Sequence, residues 1–318
     1  VDDDLVQRCV TLFRPDFEMV EWERVYGGYS SSNVRLVWQQ KGDPSTKETV
    51  FLKLAHPEAD VADLQHMERV LTELEKIQFP CAYGKKSPAG KIVERVAPEK
   101  YFVMILDFIG PALSGDKILN TDASLAVTKV LPQLGSMVAK LHNDWPSSAS
   151  EGLRDIYDGF PCCGTGYMLR DGVCEKRLVD LQLHKEEFFK FLMERVPRSQ
   201  ALFENKDLSM CFCHCDCFLD NTLYTDDQDC KMLALFDWED SCVAPRVLDL
   251  AVAISACCIN DNKVDIERTK AFLSAYNAAA ATPLNDSEKS VVLDMMIHAA
   301  LACAFYRFES FEVPQADG

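Results

Sequence analysis

From Cys213 to Ala251 the chain reads CHCDCFLDNTLYTDDQDCKMLALFDWEDSCVAPRVLDLA. His214, Asp216 and Asn221 stand in the spacing H-x-D-x-x-x-x-N, and Asp237 follows in Phe236-Asp-Trp-Glu. Transfer of a phosphoryl group to an alcohol needs a group that orients the hydroxyl and accepts its proton, and a carboxylate does both. The rest is positioning and charge neutralisation, which a hard cation held by oxygen ligands supplies. Asp216 is the candidate for the first task. Asn221 and Asp237 offer oxygens for the second, with Mg²⁺ the expected ion. Thr222–Tyr224 and Met232–Phe236 read as two strands about a turn at Asp226–Asp229, a hairpin that would return Asp237 to Asn221. Asp226, Asp227 and Asp229 themselves are read as solvated turn acids.

A cation must also meet the phosphates. Lys53 stands mid-strand in Val50-Phe-Leu-Lys-Leu54, where packing does not require a lysine. Period two sets it on the face of Phe51, opposite Val50, Leu52 and Leu54. It needs an acidic partner, and Glu68 on the next helix is the first choice, with Glu58, Glu73 and Glu75 behind it. An exposed sheet-face lysine is the competing reading. Tyr26-Gly-Gly-Tyr-Ser-Ser-Ser-Asn33 would be the loop over the phosphates, with Ser30, Ser31 and Asn33 as donors, although the same residues also make a plain hairpin turn.

The elements that must hold these groups fall into two halves. An amphipathic helix over residues 5–14 precedes strands at 34–38, 50–54, 92–97 and 101–107, with a helix at Val61–Gln78. Asp107-Phe-Ile-Gly-Pro111 reads as the boundary, dividing the chain into 1–107 and 108–318. Beyond it, helices are expected at Leu125–Asn143, Leu178–Arg195, Ile266–Ala280 and Asp286–Phe311, the last capped through Asp286-Ser-Glu. Residues 146–178, rich in Ser, Gly and Cys, have no clear reading. The βαβ alternation of a doubly wound sheet is absent, so the class is α+β.

Composition bounds the partners. The 318 residues carry a net charge of −17, which argues against nucleic acid or an anionic membrane as partner. A small-molecule substrate and a monomer or homodimer are expected. No secretory signal and no spanning helix are read from the sequence, and the fourteen cysteines fit reduced thiols in a cytoplasmic protein. Cysteines 211, 213, 215 and 217 alternate. Ligands spaced that way along one strand face cannot close a tetrahedron by themselves, so buried thiols are expected rather than zinc. His214 is expected to bond backbone carbonyls, and Asp249, a buried acid, to brace the loop. His142 reads as a packed core histidine.

The run His214-Cys-Asp216…Asn221, then Phe236-Asp237-Trp-Glu, then Pro245…Leu248-Asp249-Leu-Ala resembles the aminoglycoside phosphotransferase and choline kinase-like family of small-molecule kinases. The resemblance implies a protein-kinase-like two-lobed fold, with a small antiparallel-sheet N-lobe and a larger helical C-lobe. It implies an ATP- and Mg²⁺-dependent phosphotransferase, with Asp216 as base, Asn221 and Asp237 on the metal, and Lys53 with Glu68 as the nucleotide anchor. Asp107 and Phe108 would lie near the hinge that receives adenine. Helix 247–258 and Tyr306-Arg-Phe308 are similar to the subgroup acting on homoserine, the expected acceptor. Choline, ethanolamine, another amino-alcohol, a sugar or an aminoglycoside are the alternatives, as is an inactive nucleotide-binding protein. Asp220, Glu239, Asp240 and Arg307 are the candidate substrate contacts, the acids suiting an ammonium group. Cys215 departs from the family pattern, which has glycine there.

Overall fold

The structure is a computed structural model that describes residues 1–26, 31–98, 100–158 and 186–311. Two compact units divide the chain, Val1–Pro111 and Ala112–Gly318.

In the first unit, helix α1 (Asp3–Phe13) starts where the Asp2 carboxylate accepts the Leu5 N–H, a helix-capping bond. Five antiparallel strands follow: β1 (Phe17–Val25), β2 (Ser31–Gln40), β3 (Asp43–Ala55), β4 (Val93–Arg95) and β5 (Phe102–Asp107), in the order β1-β2-β3-β5-β4. Helix α2 (Val61–Lys76) joins β3 to β4. Strand β1 is the element the sequence does not announce. It is an edge strand rich in Glu and Arg, and a register shift between Met19 and Glu21 breaks its alternation, so no period-two signal survives.

The sheet has two apolar faces. Val34 and Leu36 of β2, Val50, Leu52 and Leu54 of β3, and Val103 and Ile105 of β5 pack against Leu5, Val6, Cys9, Val10 and Phe13 of α1. On the other face Ala55, Phe102 and Met104 pack with Leu64 of α2. Burial on both faces is what makes β3 and β5 central strands.

The second unit is mainly helical. After β6 (Leu113–Ser114) come α3 (Gly115–Thr121), α4 (Ala123–Leu125), a π turn at Ala126–Val130 and α5 (Leu131–Asp144). The single helix expected at Leu125–Asn143 is thus interrupted. Pro132 has no N–H to continue the ladder, and the wider turn directly precedes it. Helix α6 (Glu186–Met193) covers the described part of the expected Leu178–Arg195 helix; residues 178–185 lie outside the described residues, as does most of 146–178. Helix α7 (Val196–Phe203) leads to β7 (Met210–Cys213).

Strands β8 (Thr222–Tyr224) and β9 (Met232–Leu235) form the hairpin expected on either side of the 226–229 turn, joined by β6. Strand β10 (Cys242–Pro245) pairs with β7, and α8 (Arg246–Cys257) follows it directly. Short strands β11 (Ile259–Asn260) and β12 (Lys263–Val264) lead into α9 (Ile266–Ala279) and α10 (Asp286–Phe311). The cap of α10 is Asn285, one residue before the expected position. Its side chain accepts the Glu288 N–H at 2.8 Å while Glu288 Oε2 accepts the Asn285 N–H at 2.8 Å, a reciprocal capping box. Residues Asp286–Arg307 of α10 are long and apolar enough to cross a membrane by length and composition. The sequence reading did not count this stretch as a span, because Asp294 and His298 interrupt it. Met295, Ala302 and Phe305 on this helix are buried.

Candidate active site

Each unit holds its own share of the candidate residues. In the first unit, strand register decides. Asn33 on β2 lies opposite Lys53 on β3, which lies opposite Met104 on β5. Ser31, two residues from Asn33, shares that face, and Ser31 Oγ donates to Asn33 Oδ1 at 3.1 Å. All three polar residues are half-buried. Ser30 lies outside the described residues. Leu64 packs on the same face, so α2, which carries Glu68, belongs to the Lys53 side of the sheet. Glu68 Oε1 accepts the Ile92 N–H at 2.7 Å. Asp107 pairs with Lys85 Nζ at 2.7 Å and donates its N–H to Tyr83 O. The Phe108 ring lies 5.6 Å beneath the Arg35 guanidinium.

In the second unit the site is a loop between β7 and β8, held from below by one buried acid. Asp249, fully buried in the first turn of α8, accepts the His214 N–H at 3.0 Å and the Cys215 N–H at 2.7 Å. His142 Nε2 lies 3.0 Å from Oδ2, the oxygen that also accepts the His214 N–H. Burial alone would raise the Asp249 carboxyl, but His142 and the loop amides outweigh it and hold it below the usual carboxylate value. The expected brace is therefore present, and His142 is part of it rather than inert packing.

Cys215 takes φ 63, the left-handed region where glycine is at ease and other residues are strained. A glycine, which the resemblance leads one to expect here, would take this conformation without strain. The 2.7 Å bond to Asp249 helps hold the cysteine in that conformation, and its Sγ lies 3.7 Å from Cys242 Sγ.

His214 ties the two halves of the site. Its Nδ1 accepts the Asp216 N–H at 3.2 Å, and its Nε2 donates to Phe236 O at 3.0 Å. Burial lowers its basicity, in keeping with a neutral ring of the Nε2–H form. The edge of Trp238 packs on it at 4.5 Å. The Phe236 N–H then donates to Asn221 O at 3.0 Å, extending the β8–β9 ladder by one bond and delivering Asp237 beside Asn221. Asp237 also has a positive φ, 67.

Asn221 Nδ2 donates to Asp216 Oδ2 at 2.7 Å and to Asp216 O at 2.9 Å. With the amide nitrogen occupied, the amide oxygen faces away from Asp216. Burial first, then the charges of Asp240 and Asp237, push the Asp216 carboxyl up to about 8. Burial also raises Asp220; Asp116 adds to this and Arg307 opposes it. Arg307, exposed on α10, acts on Cys303 as well. Glu239 is half-buried, and its carbonyl accepts from Arg154 Nη1 at 3.4 Å. Asp216, Asp237, Asp240, Asp220 and Arg307 thus share one electrostatic neighbourhood, to which sequence reading did not assign Asp116 or Cys303. Crowded acids that raise one another, beside a presented amide oxygen, suit a hard divalent cation.

Asp226, Asp227 and Asp229 are exposed, as expected. Asp227 builds the turn, accepting from Thr225 Oγ1 and from the Asp229 and Cys230 amides. Behind the loop, the bond from Cys213 holds the Cys211 thiol down at about 6 against the opposing effect of burial, with His142 adding to the same direction.

Comparison with known proteins bears on the fold and the family. A homoserine kinase of Ralstonia nicotianae is 33% identical over 108 residues, 32% of this chain and 32% of that protein. The chain thus matches about a third of the length of that curated relative. Among solved structures, an aminoglycoside 2'-phosphotransferase in complex with GDP superposes with TM-score 0.64 at 12% identity, covering 98% of this chain and 91% of the other. The Plasmodium vivax ethanolamine kinase gives 0.62 at 14% identity, with 97% and 81% covered. These likenesses show the fold to be protein-kinase-like and α+β. The model of the phosphotransferase enzyme family matches residues 21–288, and the chain belongs to that family.

Proposed function

We propose that this protein is a small-molecule kinase that transfers a nucleotide γ-phosphoryl group to an acceptor hydroxyl, with homoserine as the preferred acceptor. The observation that carries the reading is the Asp216–Asn221 pair, bonded through the amide, with Asp237 brought beside it by the Phe236–Asn221 backbone bond. Asp216, aligned by the Asn221 amide, would orient the acceptor hydroxyl and take its proton. The Asn221 amide oxygen and the Asp237 carboxylate would hold Mg²⁺, which supplies charge neutralisation to the phosphates when bound. Lys53, with Ser31 and Asn33 on the same sheet face and Glu68 on the adjoining helix, would serve the phosphates of ATP, and Asp107-Phe108 the base. Two further observations support an active enzyme. Cys215 adopts the left-handed backbone conformation and its N–H donates to Asp249, and the relative aligned over a third of the chain is named a homoserine kinase.

Homoserine carries an ammonium and a carboxylate. Asp240, Glu239 and Asp220 suit the first and Arg307 the second. An amino-alcohol acceptor is the second reading, favoured by the excess of acids over cations at this site and by the ethanolamine kinase likeness.

The test is ADP release with Mg²⁺ and ATP or GTP across homoserine, choline, ethanolamine and an aminoglycoside. Homoserine is expected to give the highest kcat/KM, and Asp216→Asn to lower turnover by about 10²- to 10⁴-fold with nucleotide binding retained. Full activity in Asp216→Asn would sink the reading; a higher value for choline or ethanolamine would replace only the acceptor.

A further inference from the structure

The second unit contains another cluster of metal-ligating chemistry, built from softer atoms. Strand β7 carries Cys211 and Cys213 two residues apart, so both thiols leave the same face. Their Sγ atoms are 3.7 Å apart. Two sulfurs bound about 2.3 Å from one tetrahedral ion stand about 3.8 Å apart. The third ligand comes from outside the strand. His142, on α5, brings a ring nitrogen close to both sulfurs, all three atoms lying within 4.8 Å of one another. The sequence argument against zinc considered only ligands within the alternating run, and His142 on α5 is a candidate ligand from outside it.

The histidine is prepared for this role. Asp249 Oδ2 engages Nε2 at 3.0 Å, so Nδ1 would be the ligating atom, giving up its 3.0 Å contact with Tyr276 Oη on binding. A carboxylate on the far nitrogen is the arrangement that orients metal-bound imidazoles. Cys213 is fully buried, whereas Cys211 is partly exposed, which leaves a fourth position for water or for the Tyr276 oxygen.

We propose that Cys211, Cys213 and His142 form a binding site for a thiophilic closed-shell cation of the zinc class, separate from the oxygen site at Asn221 and Asp237. Binding forms two metal–sulfur bonds and one metal–nitrogen bond and sends each remaining thiol proton to solvent. Because Asp249 holds both His142 and the amides of His214 and Cys215, the bound ion would brace the loop from behind. The proposal does not depend on the kinase reading.

The full chain, purified under a non-thiol reductant, is titrated with Zn²⁺ and, as a spectroscopic probe, Co²⁺. One tight equivalent is expected, with thiolate-to-cobalt charge-transfer absorption and tetrahedral d–d bands that excess Mg²⁺ does not displace. Zn²⁺ should raise the melting temperature by about 5 °C. Cys211→Ser should lose the equivalent, the bands and the shift, and Cys213→Ser likewise; Cys230→Ser should keep all three. Should buried Cys213→Ser fail to fold, Cys211→Ser decides. Wild-type stoichiometry and bands in Cys211→Ser, or wild-type protein without thiolate bands at excess Co²⁺, would overturn the proposal.

Discussion

Asp216 and Asp227 have the same side chain, lie in the same run of sequence and end in opposite chemical states. Asp216 is largely buried among other acids, and its carboxyl is pushed up to about 8. Asp227 lies in an exposed turn, where bonds from Thr225 and from the Cys230 and Asp229 amides pull its carboxyl below the ordinary value. Residue type does not separate them. Backbone anchoring does: the Asp216 loop is hung from Asp249 and His214, while Asp227 organises only its own turn.

The contrast can be broken most sharply by activity. Asp216→Asn is expected to cost about 10²- to 10⁴-fold in turnover, and Asp227→Asn to leave kcat within about twofold; comparable losses would erase the distinction. Next comes the anchor. Asp249→Ala leaves His142 without its ion partner and two loop amides without an acceptor, and should cost about 3–5 kcal/mol in urea unfolding. Removing the exposed Asp227 side chain should move the urea midpoint far less.

Carboxyl titration by NMR supplies the third test. Asp216 in metal-free protein should titrate near about 8 and move down when Mg²⁺ is added, whereas Asp227 should titrate below 3.8. The signs follow. The native state binds the Asp216 proton more tightly than the unfolded chain, so its contribution to metal-free stability is full at pH values below 3.8 and is lost as pH rises through about 8. The Asp227 contribution is present above 3.8 and is lost as pH falls. The smallest effect concerns Cys215. Glycine there relieves left-handed strain but gives up a buried thiol, so Cys215→Gly should stay within about 1 kcal/mol of the parent. Cys215→Ala keeps the strain, loses the sulfur, and should be the less stable of the two by thermal melting.

These residues also mark what sequence could reveal. The hairpin that returns Asp237 is legible because its strands alternate and its turn is polar. The sheet face that carries Lys53 is legible because the strand alternates about it. Asp249 is legible because an acid inside an apolar helix start must have partners. What escapes is set by distant contacts. Nothing local says that His142 meets Asp249 or that the same histidine faces Cys211 and Cys213. The Glu68 bond to the Ile92 amide depends on how α2 lies against the β4 segment. Strand β1 hides because its charges and its bulge erase the alternation.

Gly135 gives the helix contact its own consequence. A Cβ on that residue would lie 2.3 Å from the Phe272 carbonyl oxygen, so the backbones of α5 and α9 touch there. Two turns further along α5 is His142, and one turn beyond Phe272 on α9 is Tyr276; these two are joined at 3.0 Å. The bare glycine therefore works as a spacer gauge for a hydrogen bond it does not make. Any side chain at that position would widen the gap between the helices and loosen the tyrosine from the histidine, so the alignment of the loop's brace is set in part by a residue with no functional group at all.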